Sequence, residues 1–310
     1  MNMEEKLKAI LGAVKPLDEA AMEAARMRQM ALAKPPGSLG RLEDLSVQLA
    51  GITGRVNNTV ARQHLLVFAA DNGVVEEGVS SAPQSVTLMQ TVNLTRAETG
   101  ASVLARHFGC GITVCDVGVN AAIREPAVLN RKIAFGTRNM TKGPAMTRQQ
   151  AVQAILTGVE LAQDTPADVL GIGEMGIGNT TTSSAVLSVL LGVTPEQVTG
   201  RGGGVTDEGF RKKKAAIQKA IAINQPDPAD VVDVLSKVGG FDIAAMCGAF
   251  LGCALTRRPV VIDGFISAVA ALCVVRLCPN VKGFLIPSHA SFEIGYRMAM
   301  EEMGLTPIFQ

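Results

Sequence analysis

The 310-residue chain has no tryptophan, one tyrosine (Tyr296) and only 4% aromatic residues, which excludes an aromatic binding platform. Its three histidines, His64, His107 and His289, are too few for a His-rich metal site. The six cysteines, Cys110, Cys115, Cys247, Cys253, Cys273 and Cys278, lie in apolar contexts without a CxxC pair. Neither a zinc site nor a redox motif is expected, and the thiols read as free, mostly buried groups of a cytoplasmic protein. Charge of one sign is lacking too: 29 Lys plus Arg against 28 Asp plus Glu leaves +1. No overall field then attracts nucleic acid or an anionic membrane, and any anionic ligand must be met by local groups. Long hydrophobic runs are also missing. The uncharged stretch 264–275 falls short of the roughly 18 to 20 residues of a membrane span. Residues 1–10 carry Glu4, Glu5, Lys6 and Lys8 with no apolar segment, so no secretory signal is expected.

What is abundant is small and apolar: 47% hydrophobic residues and 32 glycines. A chain of this length accommodates two domains or one large α/β domain with a substantial core. Residues 17–32 have helical periodicity that Lys34-Pro35-Pro36-Gly37 ends, because proline cannot continue a helix. A second helix is expected over 42–49. From residue 65 onward, short Val/Ile/Leu runs ending in Gly, Asn or Asp alternate with longer helical patterns. Strands are predicted at 65–69, 112–116, 132–135, 169–172, 260–262 and 283–286. Helices are predicted at 85–95, 148–162, 180–191, 208–223, 241–255, 265–277 and 291–303. Strands this continuously apolar suit a parallel sheet covered on both faces. The fold class is therefore α/β, a doubly wound, mostly parallel sheet, with the N-terminal helices as a small separate layer.

Ligands of such sheets bind beyond the carboxyl ends of the strands. The richest of those ends is Gly171 to Ser184. Its glycines let backbone approach a ligand, and Asn179 with Thr180, Thr181 and Thr182 opens a helix whose amides can receive a phosphate. No Lys follows the glycines as in a Walker loop, and GxGxxG spacing is absent, which disfavours nucleoside triphosphates and NAD. A Gly-rich turn with a helix cap accounts for these residues but not for Glu174, whose partial desolvation would make it a general base. Gly200-Arg201-Gly202-Gly203-Gly204 precedes a helix with Arg211, Lys212, Lys213 and Lys214, of which one or two can face the cleft. Asp71, Asp116 and Asp263 read singly as turn caps. His289 is equally a structural group or a ligand contact.

Seven ordered motifs, Lys34-Pro35-Pro36-Gly37-Ser38-Leu39-Gly40-Arg41-Leu42-Glu43, Ala70-Asp71-Asn72-Gly73-Val74, Gly173-Glu174-Met175-Gly176-Ile177-Gly178-Asn179-Thr180-Thr181, Ala222-Ile223-Asn224-Gln225-Pro226, Leu235-Ser236-Lys237-Val238-Gly239-Gly240-Phe241-Asp242, Asp263-Gly264-Phe265 and Ile286-Pro287-Ser288-His289, resemble the nicotinate-nucleotide:dimethylbenzimidazole phosphoribosyltransferase (CobT) family. The resemblance implies a large Rossmann-like α/β domain over 61–290, a small helical domain from 1–60 and 291–310, and a dimer, homodimeric or with a homologous chain. It implies transfer of the phosphoribosyl group of nicotinate mononucleotide (NaMN) to 5,6-dimethylbenzimidazole for cobamide synthesis, with no metal or cofactor. By matching position, Gly176, Gly178, Asn179, Thr180, Gly202 and Lys213 would hold the phosphate. Gly264 and Ser291 would lie near the nucleotide, and Ala82, Gln90 and Met175 would line the aromatic acceptor.

Two positions depart from the family pattern. Asn72 stands where the family has His, and the family's Arg-Leu-Gly-Glu-Gly segment, with its principal catalytic Glu, lies beyond Gln310. The proton acceptor is then Glu174, a carboxylate of another chain, or one outside the printed residues. A two-subunit variant activating phenol or p-cresol and a non-catalytic NaMN-binding partner are the alternative expectations.

Overall fold

The computed structural model describes residues 2–309. Six strands, β1 (Gln63–Ala70), β2 (Gly111–Gly118), β3 (Val128–Asn130), β4 (Val169–Met175), β5 (Val260–Ile262) and β6 (Leu285–Pro287), form one wholly parallel sheet. Their spatial order is β3-β2-β1-β4-β5-β6. The chain winds outward from β1 through β2 to β3, then returns to place β4 on the other side of β1. The switch point therefore lies between β1 and β4, where Ala69 pairs with Met175 and both strands end.

Three helices precede the sheet: α1 (Met3–Ala13), α2 (Glu19–Ala31) and α3 (Arg41–Thr53). Asp18 caps α2 by accepting the Ala21 N–H at 2.9 Å. Ala21, Ala25 and Ala50 form a small core between α2 and α3. The next helices are α4 (Ser85–Thr95) and α5 (Gly100–His107), then α6 (Arg148–Asp164), opened by a Thr147/Gln150 capping box. Beyond β4 come α7 (Asn179–Leu191), α8 (Pro195–Val198), α9 (Asp207–Asn224), α10 (Val231–Val238), α11 (Phe241–Leu255), α12 (Phe265–Leu277) and α13 (Ile294–Met303). The last packs on α12, α8 and α7; beyond its end the Thr306 carbonyl accepts from Arg41 of α3.

Strand alternation sets the two faces. Leu66 and Phe68 of β1, Cys115 and Val117 of β2, and Leu170 and Ile172 of β4 enter the main core, where α11 lies against the sheet. Val67, Val114 and Met175 face the other way, against Leu94 of α4. Helices α6 and α11 touch backbone to backbone: the Ala245 carbonyl occupies the space a Gly158 side chain would need, and the Ile155 carbonyl does the same opposite Gly248. Both helices are buried along most of their length, α11 almost entirely.

The third strand is Val128–Asn130, not 132–135 as the sequence predicts. Lys132 instead turns inward, ion-paired with Asp116 at 2.8 Å and donating to the Val119 carbonyl. Residues 279–284 coil into a 3-10 helix, which shortens the last strand to Leu285–Pro287. The final helix starts at Ile294 rather than Ser291. No helix among the described residues is long and apolar enough to cross a membrane, and all six cysteines are free thiols.

Candidate active site

At the end of β4 the chain leaves the sheet through Gly176-Ile177-Gly178 and enters α7. Gly178 holds the helix N-cap position with φ +94°, a left-handed conformation that a side chain would strain. Thr87 of α4 accepts the Ile177 N–H at 3.0 Å and ties this loop down. Ala82, Gly176, Gly178, Asn179 and Thr180 line one cavity of about 200 Å³ together with Ser80, Ser81 and Arg201. It sits at the N-terminus of α7, where helix amides favour an anion.

Of the four consecutive cations on α9, only Lys213 is buried, at 1% exposure. Lys212 pairs with Glu208, and Lys214 lies over the Phe210 ring. The Lys213 ammonium donates to Thr180 Oγ1 at 2.9 Å and to the Gly200 carbonyl at 3.1 Å. Burial pushes its pKa down to about 8, while Glu293 pulls the other way. Gly202, at φ +58°, lies against Thr180 and Lys213. Its N–H donates to Glu293 Oε1 at 2.8 Å, and the other Glu293 oxygen is buried without a partner. Ser291 accepts the Glu293 N–H at 3.3 Å, so it shapes the approach of that carboxylate.

Behind the glycine loop is a chain of polar side chains with no cation in it. The Asn179 amide donates to Glu174 Oε2 and, at 3.1 Å, to Asp242 Oδ2. Asn72 donates to the same Asp242 oxygen at 3.4 Å and accepts from the Thr182 hydroxyl at 3.2 Å. Burial first, and then the Asp242 charge, push Glu174 up to about 8; burial pushes Asp242 up to about 6. Asp263 adds a smaller push on Glu174. A carboxyl with a proton affinity near neutrality can take or give a proton during a reaction.

The site residues expected from the sequence do not all share this cavity. Glu174, Gly202, Lys213, Gly264, Ser291, Met175 and Gln90 are outside its lining: Met175 packs with Val67, Leu94 and Val114, and Gln90, on α4, accepts from Asn93 at 3.5 Å. Asn179 lines the cavity, and its side chain also bridges two carboxylates while its N–H donates to the Gly176 carbonyl. Gly264 caps the start of α12 beside Asp263, with open space where its side chain would be. Asp116 accepts the N–H groups of Gly118 and Val119 in its own turn, whereas Asp71 accepts that of Asn120 at 2.7 Å from a distant segment and is not a local cap. His289 is exposed and paired with Ser288 Oγ.

A family model described as Phosphoribosyltransferase matches residues 14–310. The nicotinate-nucleotide–dimethylbenzimidazole phosphoribosyltransferase of Clostridium tetani is 47% identical over 97% of this chain and 84% of its own length. That of Clostridium acetobutylicum is 49% identical over 99% and 87%. The chain belongs to the nicotinate-nucleotide–dimethylbenzimidazole phosphoribosyltransferase family. The crystal structure of the family member from Thermus thermophilus superposes with a TM-score of 0.89 at 37% identity, covering 94% of this chain and 88% of that one.

In this phosphoribosyltransferase three residues matter that sequence reasoning gave no role: Asp242, Asn72 and Glu293. Asp242 carried a signal, as the one charged residue of an otherwise apolar helix. Asn72, the departure from the family's usual His, is wholly buried in the carboxylate network. Glu293 carried none, because only the folded chain brings it to Gly202.

Proposed function

We propose that this chain transfers the phosphoribosyl group of NaMN to 5,6-dimethylbenzimidazole, releasing nicotinate and forming α-ribazole 5'-phosphate for a cobamide lower ligand. The observation that carries this reading is the cavity at the N-terminus of α7, with the buried Lys213 ammonium behind Thr180 and Glu174 at the adjoining strand end. The phosphate would lie against Gly176, Gly178, Asn179, Thr180, Gly202 and Lys213, and the ribosyl nucleotide would extend toward Gly264 and Ser291. Ala82, with Gln90 and Met175 on the α4 side, would meet the acceptor.

In the reaction a benzimidazole nitrogen bonds to C1' while the bond from C1' to the pyridinium nitrogen breaks. That electron pair returns to the ring, so nicotinate departs with a neutral ring nitrogen. Attack opposite the leaving group inverts C1' from β to α. The alkylated benzimidazole then gives up its N–H proton, for which Glu174 is the acceptor. The protein's work is to hold both reactants in line and to take that proton. A dimer and a cytoplasmic setting complete the reading; the free thiols accord with the second.

Incubating the purified chain with NaMN and 5,6-dimethylbenzimidazole should yield equal amounts of nicotinate and ribotide by chromatography. NaMN binding without turnover on benzimidazole, phenol or p-cresol would overturn the reading in favour of a binding subunit.

A further inference from the structure

Asp242 is a wholly buried carboxylate without a cation. Its Oδ2 accepts from Asn179 and Asn72, and its Oδ1 accepts the N–H of Ile243 at 3.0 Å. Gly176 and Gly240 crowd it so closely that a side chain on either would collide with its oxygens. The first turn of α11, the end of β1 and the loop before α7 thus all converge on this one group. An asparagine would fill the same volume and cost far less to bury.

What the charge adds follows from Asn179. Its single amide nitrogen has two hydrogens, one directed at Asp242 and one at Glu174. Two carboxyls joined through one amide, away from any cation, cannot both ionise without strong mutual repulsion. We propose that Asp242 is a positioning residue for phosphoribosyl transfer, whose charge, held beside Glu174 through Asn179, strengthens Glu174 as acceptor of the proton released by the attacking aromatic base. This inference rests on the reading of Glu174 as that acceptor.

The groups facing Glu174 are Asp242 from α11, Asp263 from the turn between β5 and α12, and Asn179 from α7. Asp71 at the end of β1 interacts instead with Lys132 and Asp116. Asp242 is thus the larger of the two charges acting on Glu174. The proton passes from the ring nitrogen of the alkylated acceptor to Glu174 and later to solvent.

The test is the pH dependence of kcat/KM for wild type, Asp242→Asn and Glu174→Gln. Wild type should show a limb rising with pH, its midpoint near 8. In Asp242→Asn that midpoint should move down by about one unit or more, with kcat at high pH lowered about several-fold and the KM for NaMN nearly unchanged. A lowered kcat with an unmoved midpoint overturns the inference. Glu174→Gln separates the two readings: if it leaves the limb in place, the Glu174 assignment itself fails. If it abolishes the limb while Asp242→Asn does not shift it, only the role of Asp242 fails. Should Asp242→Asn not fold, infrared titration of carboxyl groups in wild type and Glu174→Gln gives the reciprocal reading. In wild type the carboxylate stretch that Asp242 gains in the step near 6 should change again as Glu174 ionises near 8, and Glu174→Gln should abolish that second change; an Asp242 stretch that does not respond to the second step overturns the coupling.

Discussion

Glu293 accepts the backbone N–H of Gly202 at 2.8 Å, which puts a carboxylate in the anion corner near the buried Lys213. A substrate phosphate that uses the same N–H must displace it. Glu293→Gln should therefore tighten NaMN binding several-fold, about 1 kcal/mol, in titration calorimetry. Weaker binding would mean that the carboxylate supports the loop instead of competing for it.

Lys213 should contribute in the opposite direction. Lys213→Ala removes a charge-assisted contact and should weaken NaMN binding by about 1.5 to 3 kcal/mol. In wild type the affinity should also fall as pH rises past about 8, where the buried ammonium loses its proton. Unchanged affinity in the alanine variant removes Lys213 from the site.

The carboxyls of Asp242, wholly buried, and Glu174, half-buried, predict how stability varies with pH. Both have folded pKa values above their ordinary ones, Asp242 from 3.8 to about 6 and Glu174 from 4.5 to about 8. Their ionisation thus opposes the folded state, and the stability held below pH 4 drains away as pH rises through 6 and 8. The Glu174→Gln, Asp242→Asn double variant should gain melting temperature relative to wild type as pH rises from 4 to 8. A constant difference across that range contradicts the sign.

The residues proposed for the acceptor carry no charge: Ala82 and Met175 are apolar, and Gln90 supplies one amide. Adenine, with more polar edges to desolvate, should compete poorly with benzimidazole or phenol for transfer. An assay in which adenine outcompetes both would refute this assignment.

Gly158→Ala should destabilise the protein by about 1 to 3 kcal/mol, because the new methyl meets the Ala245 carbonyl between two buried helices. Thermal melting reads the loss directly, and NaMN affinity in the folded fraction should not change.

The sequence was most readable where a single segment decides its own structure. The apolar runs of α4, α11 and α12 lie between Gly, Pro or polar boundaries, and the residues predicted for them are those found in the structure. The glycine loop and the burial of one cation on α9 were legible for the same reason. The edge strand β3 was not: three residues with one neighbouring strand give too short a pattern, and Lys132 beside it was claimed by Asp116. Helix α10 also went unread, although Asp230 caps it by accepting two backbone N–H groups. The roles of Asp242 and Glu293 come from tertiary placement, which no local spacing encodes. Asn72 showed only as a departure from a motif; its partners, Asp242 and Thr182, are remote in sequence.

The contacts that make the carboxylate network and the anion corner join residues 63, 91, 110 and 170 positions apart. The strand pairings that orient these contacts, β1 with β4 and β4 with β5, are of similar range, so the site assembles together with the sheet rather than ahead of it. During synthesis the glycine loop leaves the ribosome well before Asp242 and Glu293, so a nascent chain at that stage has the bare loop and neither of its distant carboxylates. Nucleotide capture should therefore appear abruptly, near completion of the fold, rather than grow with chain length.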